Sequence, residues 1–141
     1  MGVVSAGKKI MIQPDIPQEP ILLSGDRIHL QRVFFNLIDN ALHHTSPGGK
    51  IDVVLRKSDQ KAIVLISDNG CGIAGDELPK IFNKFYRVAP KDQEADSGMG
   101  LGLSIVYTII TLHGGSISVD SKLGKGTSFT LEFPLINKIP N

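Results

Sequence analysis

The chain has one cysteine, Cys71, in 141 residues. That excludes an internal disulfide framework and any metal site built from several thiolates, and the sequence reads as intracellular. An excess of charge of one sign is also missing. The formal net charge of +1 supplies no strong basic field, so no nucleic-acid partner is expected, although a local anion site is not excluded. Long hydrophobic runs are lacking too. Residues 62–66 and the interrupted run 101–112 are too short to span a bilayer. The first seven residues lack the charged start and apolar block of a secretory signal. The domain is therefore expected to be cytoplasmic with no direct membrane contact, any anchor of a parent protein lying outside this chain. No repeat, low-complexity tract or second domain is marked.

What is present suits a folded globular chain, with 41% hydrophobic and 21% charged residues. The length fits one domain with a core of ordinary size. Its expected extent is residues 9–135, between a frayed start at 1–8 and a tail at 136–141.

Residues 9–13 form a strand candidate, after which Pro14, Pro17 and Pro20 predict an extended loop. Ser24-Gly25-Asp26 offers a turn and a helix N-cap before helical periodicity over 29–42. Leu30, Phe34, Leu37, Ile38 and Ala41 form its apolar side, and Ser46-Pro47-Gly48-Gly49 stops it. Residues 50–56 and 61–67 read as a hairpin around Ser58-Asp59-Gln60. Asp68-Asn69-Gly70-Cys71-Gly72 ends the second strand in a bend. A short helix is expected over 76–82, and a mobile loop over 87–98. Residues 116–120 and 127–133 are two more strands, around Leu123-Gly124-Lys125-Gly126. Mixed helices and mainly antiparallel strands imply an α+β fold in two layers.

Gly98-Met99-Gly100-Leu101-Gly102-Leu103 runs into an apolar helix that Gly114-Gly115 closes. A glycine-rich turn opening a helix presents free N–H groups and the positive end of the dipole, which suits phosphate. The spacing is neither the dinucleotide nor the Walker pattern. On the first long helix, His29, Arg32, Asn36, Asn40 and His43 fall within a stripe opposite the apolar side. Asparagine is a poor mid-helix residue, so two of them one turn apart point to a ligand. An amide oxygen can complete the shell of a Mg²⁺ that phosphates already hold. Asp68, where a strand enters a glycine bend, can accept from the exocyclic amine of adenine and would repel the carbonyl of guanine. Gly70 and Gly72 would let a flat base lie against the main chain.

Asn36-Leu37-Ile38-Asp39-Asn40-Ala41 resembles the N box of bacterial sensor histidine kinases. Asp68-Asn69-Gly70-Cys71-Gly72-Ile73 resembles their G1 box, Ile81-Phe82-Asn83-Lys84-Phe85-Tyr86-Arg87 their F box, and residues 98–106 their G2 box. His113-Gly114-Gly115 and Gly124-Lys125-Gly126-Thr127-Ser128-Phe129 are similar to their last hairpin. The likeness covers residues 21–134, with the boxes in order.

The resemblance implies the catalytic ATP-binding domain shared in fold with gyrase-, Hsp90- and MutL-type ATPases. That is a Bergerat-type two-layer α/β sandwich, with a mixed, mostly antiparallel sheet covered on one face by three helices. ATP and Mg²⁺ would lie between the helices, under a lid over 84–97. Asn36 would hold Mg²⁺, Asn40 would sit by the phosphates, and Asp68 would accept the adenine amine. Gly70, Gly72, Ile73 and Thr127 would line the base pocket. Lys84, Tyr86 and Arg87 would approach the phosphates from the lid. Gly98, Gly100 and Gly102, with the amides of Leu101 and Leu103, would cradle the phosphate tail. Asn36, Asn40 and Arg87 are the expected catalytic residues. Where the family usually has Lys or Arg reaching toward phosphate, this chain has His43, an expected nucleotide-binding residue that brings less charge.

The implied activity is transfer of the ATP γ-phosphoryl group to a histidine on dimerisation helices that this chain does not contain, and onward to a response regulator. Water-activating relatives carry Glu at the position of Asn36, and an amide cannot take a proton at neutral pH, which favours transfer over hydrolysis. The alternatives are a degenerate nucleotide-binding regulatory module and a gyrase- or Hsp90-type ATPase.

Overall fold

A computed structural model describes residues 3–4, 9–21, 23–83 and 102–135 of the chain. Six strands form one sheet in the order β1-β2-β3-β4-β6-β5. They are β1 (Val3–Val4), β2 (Met11–Asp15), β3 (Lys50–Ser58), β4 (Lys61–Asp68), β5 (Ser116–Lys122) and β6 (Gly126–Pro134). Among the described strands only β2 and β3 pair in parallel, and α1 (Arg27–His44) makes the crossover between them. The remaining neighbours are antiparallel. Together with α2 (Gly102–Leu112) this is a two-layer α+β sandwich.

β2 runs through Pro14 rather than stopping before it. Past the two residues of β1 its outer edge has no partner among the described residues, so a proline there forfeits no ladder bond on that side. β3 and β4 meet in the expected hairpin, where Asp59 takes a left-handed φ of 53°. β4 is apolar almost throughout, yet of its residues only Ala62, Val64 and Ile66 are buried, because alternate side chains point to opposite faces. The buried set continues with Ile51 on β3 and Phe129, Leu131 and Phe133 on β6. Val33, Leu37 and Ala41 of α1 and Val106, Ile109 and Ile110 of α2 close the core from above.

α1 is longer than its periodicity suggests. Asp26 caps it, its carboxylate accepting from the His29 N–H at 3.0 Å, and Thr45 closes it with its hydroxyl on the Ala41 carbonyl at 2.7 Å. α2 ends in a Schellman motif: the Gly114 N–H reaches the Thr111 carbonyl, the Gly115 N–H reaches that of Ile110, and Gly114 has φ +76°. His113 then joins the two helices. Its Nδ1 donates to the Ile109 carbonyl at 2.7 Å, and its Nε2 accepts from the Asp26 N–H at 3.0 Å.

The helix expected over 76–82 is a single 3₁₀ turn, Leu78–Lys80. Pro79 has no N–H to give and the segment is too short to repay helix nucleation. Among the described residues the sheet is thus covered by two α-helices and this turn.

Candidate functional site

Asp68 is the last residue of β4, and Thr127 stands opposite it on β6. Its carboxylate accepts from the Gly70 N–H at 2.8 Å and from the main-chain N–H of Thr127. Burial raises its pKa above the usual aspartate value; these two hydrogen bonds and nearby His44 only partly offset that. Asp68 is thus a half-buried acceptor that two main-chain donors hold among the described residues, and a carboxylate has lone pairs for a further donor from a ligand.

The bend after Asp68 is packed main chain to main chain. The Cys71 N–H donates to the His44 carbonyl at the end of α1. A Cβ at Gly70 would fall 2.1 Å from that same carbonyl oxygen, and one at Gly72 would fall 2.0 Å from the Lys122 carbonyl oxygen. This packing by itself requires glycine at both positions. The Asn69 side chain accepts from the Lys50 N–H at 2.9 Å, fixing the bend to the start of β3. Ile73 is buried, and its N–H donates to Ser121 Oγ at 2.8 Å. Ser121 Oγ also meets the Gly126 carbonyl and Thr127 Oγ1. An open depression of about 240 Å³ reaches this cluster over the ends of β4, β5 and β6; Asp68, Ser121, Lys122 and Thr127 are among its lining residues.

The asparagine stripe does not lie opposite the apolar side of α1. At 100° per residue, Asn36 and Asn40 sit roughly 100° and 60° from the middle of the buried Val33-Leu37-Ala41 row, and both are half-buried. The far side instead carries exposed Ile28 and Phe35. Both amides stand at the edge of the helix layer. The His43 Nδ1 lies 2.9 Å from the Asp39 carbonyl, which turns the ring back along its own helix.

Phe82, just past the 3₁₀ turn, meets Tyr107 of α2 in a tilted contact at 5.6 Å and Phe129 of β6 edge-to-face at 6.3 Å. Gly102 opens α2 with nothing among the described residues near its absent Cβ, and Leu103 packs against the core. Lys84, Tyr86, Arg87, Gly98, Gly100, Leu101 and the expected lid lie outside the described residues.

Sequence reasoning named Asp68, Thr127 and the bend, which the structure brings together, and passed over Ser121, Asn69 and the main-chain tie from His44. The available signal for Ser121 was its place just before the Leu123–Lys125 turn, on a strand that runs two residues further than its alternation suggested.

A family model described as histidine kinase-, DNA gyrase B-, and HSP90-like ATPase matches residues 25–137. The sensor histidine kinase RppB of Synechocystis sp. is 38% identical over 128 residues, which is 91% of this chain and 28% of RppB. The chain thus spans little more than a quarter of that curated relative. Among solved structures, the mycobacterial sensor histidine kinase MprB is 32% identical with a TM-score of 0.77, over 89% of this chain and 84% of that one. Full-length ShkA, solved in complex with AMPPNP, gives 26% identity and a TM-score of 0.78 over 94% of this chain and 27% of its own. In sequence and in fold, then, the chain belongs to the histidine kinase-, DNA gyrase B- and HSP90-like ATPase family, as a sensor histidine kinase catalytic domain.

Proposed function

We propose that this chain binds Mg·ATP and delivers its γ-phosphoryl group to a histidine on dimerisation helices outside the chain, from which a response regulator takes it up. The observation that carries this is Asp68: a half-buried carboxylate at a strand end, held among the described residues by two main-chain donors, with the half-buried Asn36 and Asn40 on the neighbouring helix. The AMPPNP complex of ShkA supports the nucleotide class. In this reading Asp68 receives the 6-amino group of adenine, with Gly70, Gly72, Ile73 and Thr127 around the base. Asn36 offers an amide oxygen to Mg²⁺, and Asn40 holds the phosphates beside it. Mg²⁺, when bound, neutralises charge on the phosphate tail. Lys84, Tyr86, Arg87, Gly98, Gly100, Leu101, Gly102 and Leu103 complete the cradle. Asn36 cannot accept a proton, so it positions and does not activate water, in keeping with transfer to an imidazole that is already nucleophilic.

Calorimetric titration with ADP and AMPPNP, with and without Mg²⁺, tests this on the wild type, Asp68→Asn and Asn36→Ala. Asp68→Asn should weaken both nucleotides about 10- to 100-fold, the range for a hydrogen bond to a charged group. Asn36→Ala should weaken the triphosphate only when Mg²⁺ is present. Binding that ignores both changes would mean the residues are wrongly assigned. Vigorous ATP hydrolysis by the chain alone would overturn transfer in favour of a gyrase- or Hsp90-type activity.

A further inference from the structure

Among the described residues the single hydroxyl of Ser121 meets three partners. The Ile73 N–H lies 2.8 Å from Ser121 Oγ, the Gly126 carbonyl oxygen 2.9 Å and Thr127 Oγ1 2.8 Å. A hydroxyl gives one hydrogen and receives through two lone pairs. The Gly126 carbonyl can only accept, so it takes the Ser121 hydrogen. The Ile73 N–H can only donate, so it occupies one lone pair. The second lone pair is left for Thr127, whose own hydroxyl must therefore be the donor. Thr127 is then saturated as a donor and can only accept from anything else.

A threonine hydroxyl normally rotates to suit its partner. Here that freedom is removed at a residue that faces Asp68 across the ladder. An ionised carboxylate is also acceptor-only. Asp68, Ser121 and Thr127 all line the same depression. We infer that Ser121 is a positioning residue that fixes Thr127 as an acceptor beside Asp68, and thereby sets the site's preference for a 6-amino over a 6-oxo purine nucleotide. The inference rests on the nucleotide reading above and extends it from Asp68 to a second tier. A 6-amino group brings hydrogens to these acceptors. A 6-oxo group brings lone pairs to a carboxylate and to a hydroxyl that cannot turn to meet them, and a mismatched, unpaired polar group is what produces discrimination.

The test is titration of the whole chain with ADP and with IDP, each with Mg²⁺, for the wild type, Ser121→Ala, Ser121→Thr and Thr127→Val. Freed from Ser121, the Thr127 hydroxyl can donate to the 6-oxo group. Ser121→Ala should therefore lower the preference for ADP over IDP about five- to tenfold, the range of one hydrogen bond. Ser121→Thr keeps the hydroxyl and should keep the preference. Thr127→Val should lower it, and adding Ser121→Ala should change it no further. A purely structural Ser121 would weaken both diphosphates by one common factor; an unchanged ratio overturns the inference. Should Ser121→Ala fail to fold, Thr127→Val decides alone, and an unchanged ratio there is equally fatal. A wild type that binds neither diphosphate removes the nucleotide reading and this inference with it. A wild type that binds ADP leaves that reading standing whatever Ser121 does.

Discussion

At Asp68 folding and binding pull in opposite directions with pH. Its pKa is raised in the folded chain, chiefly by burial, so the folded state holds that proton more tightly than the unfolded state does. Stability from this group therefore grows as pH falls through the raised folded value towards the ordinary one, and is absent above it. Accepting an amine needs the carboxylate, so nucleotide affinity has the other sign. ADP affinity is expected to weaken on acidification at a pH above the ordinary aspartate value of about 3.9, and calorimetry across mildly acidic buffers reads this. Asp68→Asn should bind weakly and without that pH step, while the unliganded protein melts no lower than wild type at neutral pH. A loss of thermal stability on Asp68→Asn would mean that the ionised group is net stabilising. Asp68 was legible in the sequence because a carboxylate between an apolar strand and a glycine bend is conspicuous. Ser121 was not: its importance arises only when Ile73, Gly126 and Thr127 converge on it in space.

Two glycines show how differently one residue type serves its element. Gly114 closes α2 with φ +76°, and among the described residues an added Cβ would meet nothing nearer than Pro134 Cγ at 3.7 Å. Gly114→Ala should cost only the left-handed backbone term, about 1–2 kcal/mol, and lower the melting temperature by a few degrees, about 2–8 °C per kcal/mol over this size range. Gly126 opens β6 with φ +124°, and its Cβ would lie 2.0 Å from the Asp68 carbonyl oxygen. Gly126→Ala must push β4 and β6 apart beside the site, and is expected to abolish ADP binding or folding outright. Thermal denaturation with an ADP titration separates the two; equal, mild effects would refute the close strand contact. Both glycines were visible in sequence as turn markers, but φ and crowding were not. Element boundaries failed for comparable local reasons. Pro79 reduced an expected helix to a 3₁₀ turn, whereas Pro14, read as a breaker, sits harmlessly on an edge with no partner among the described residues.

Across the whole molecule, the alternation of elements made the two layers readable. The strand order was not, since β6 inserts between β4 and β5 by contacts no local pattern records. The helix–helix tie was equally hidden: His113, read from sequence as part of a terminal His-Gly-Gly, accepts from the Asp26 N–H some 87 residues away. The candidate site sits where these long-range ties meet. β4 supplies Asp68, the bend beyond it is fastened to α1 through His44 and to β5 through Ser121, and α1 carries Asn36 and Asn40. A ligand that bridges the bend and α1 binds only the assembled fold, so its binding energy appears as global stability. At a hundredfold excess over its dissociation constant a ligand adds about 2.7 kcal/mol, enough to raise the melting temperature by several degrees in a chain of this size. ADP with Mg²⁺ should therefore shift the melting curve upward as a single cooperative transition, the shift growing with the logarithm of concentration. Asp68→Asn should reduce the shift at a given ADP concentration, because weaker binding lowers the linkage term without touching the core. If ADP instead stabilised a separate, early transition and left the main one in place, the bend and α1 would not be melting as one unit, and the site would not span them.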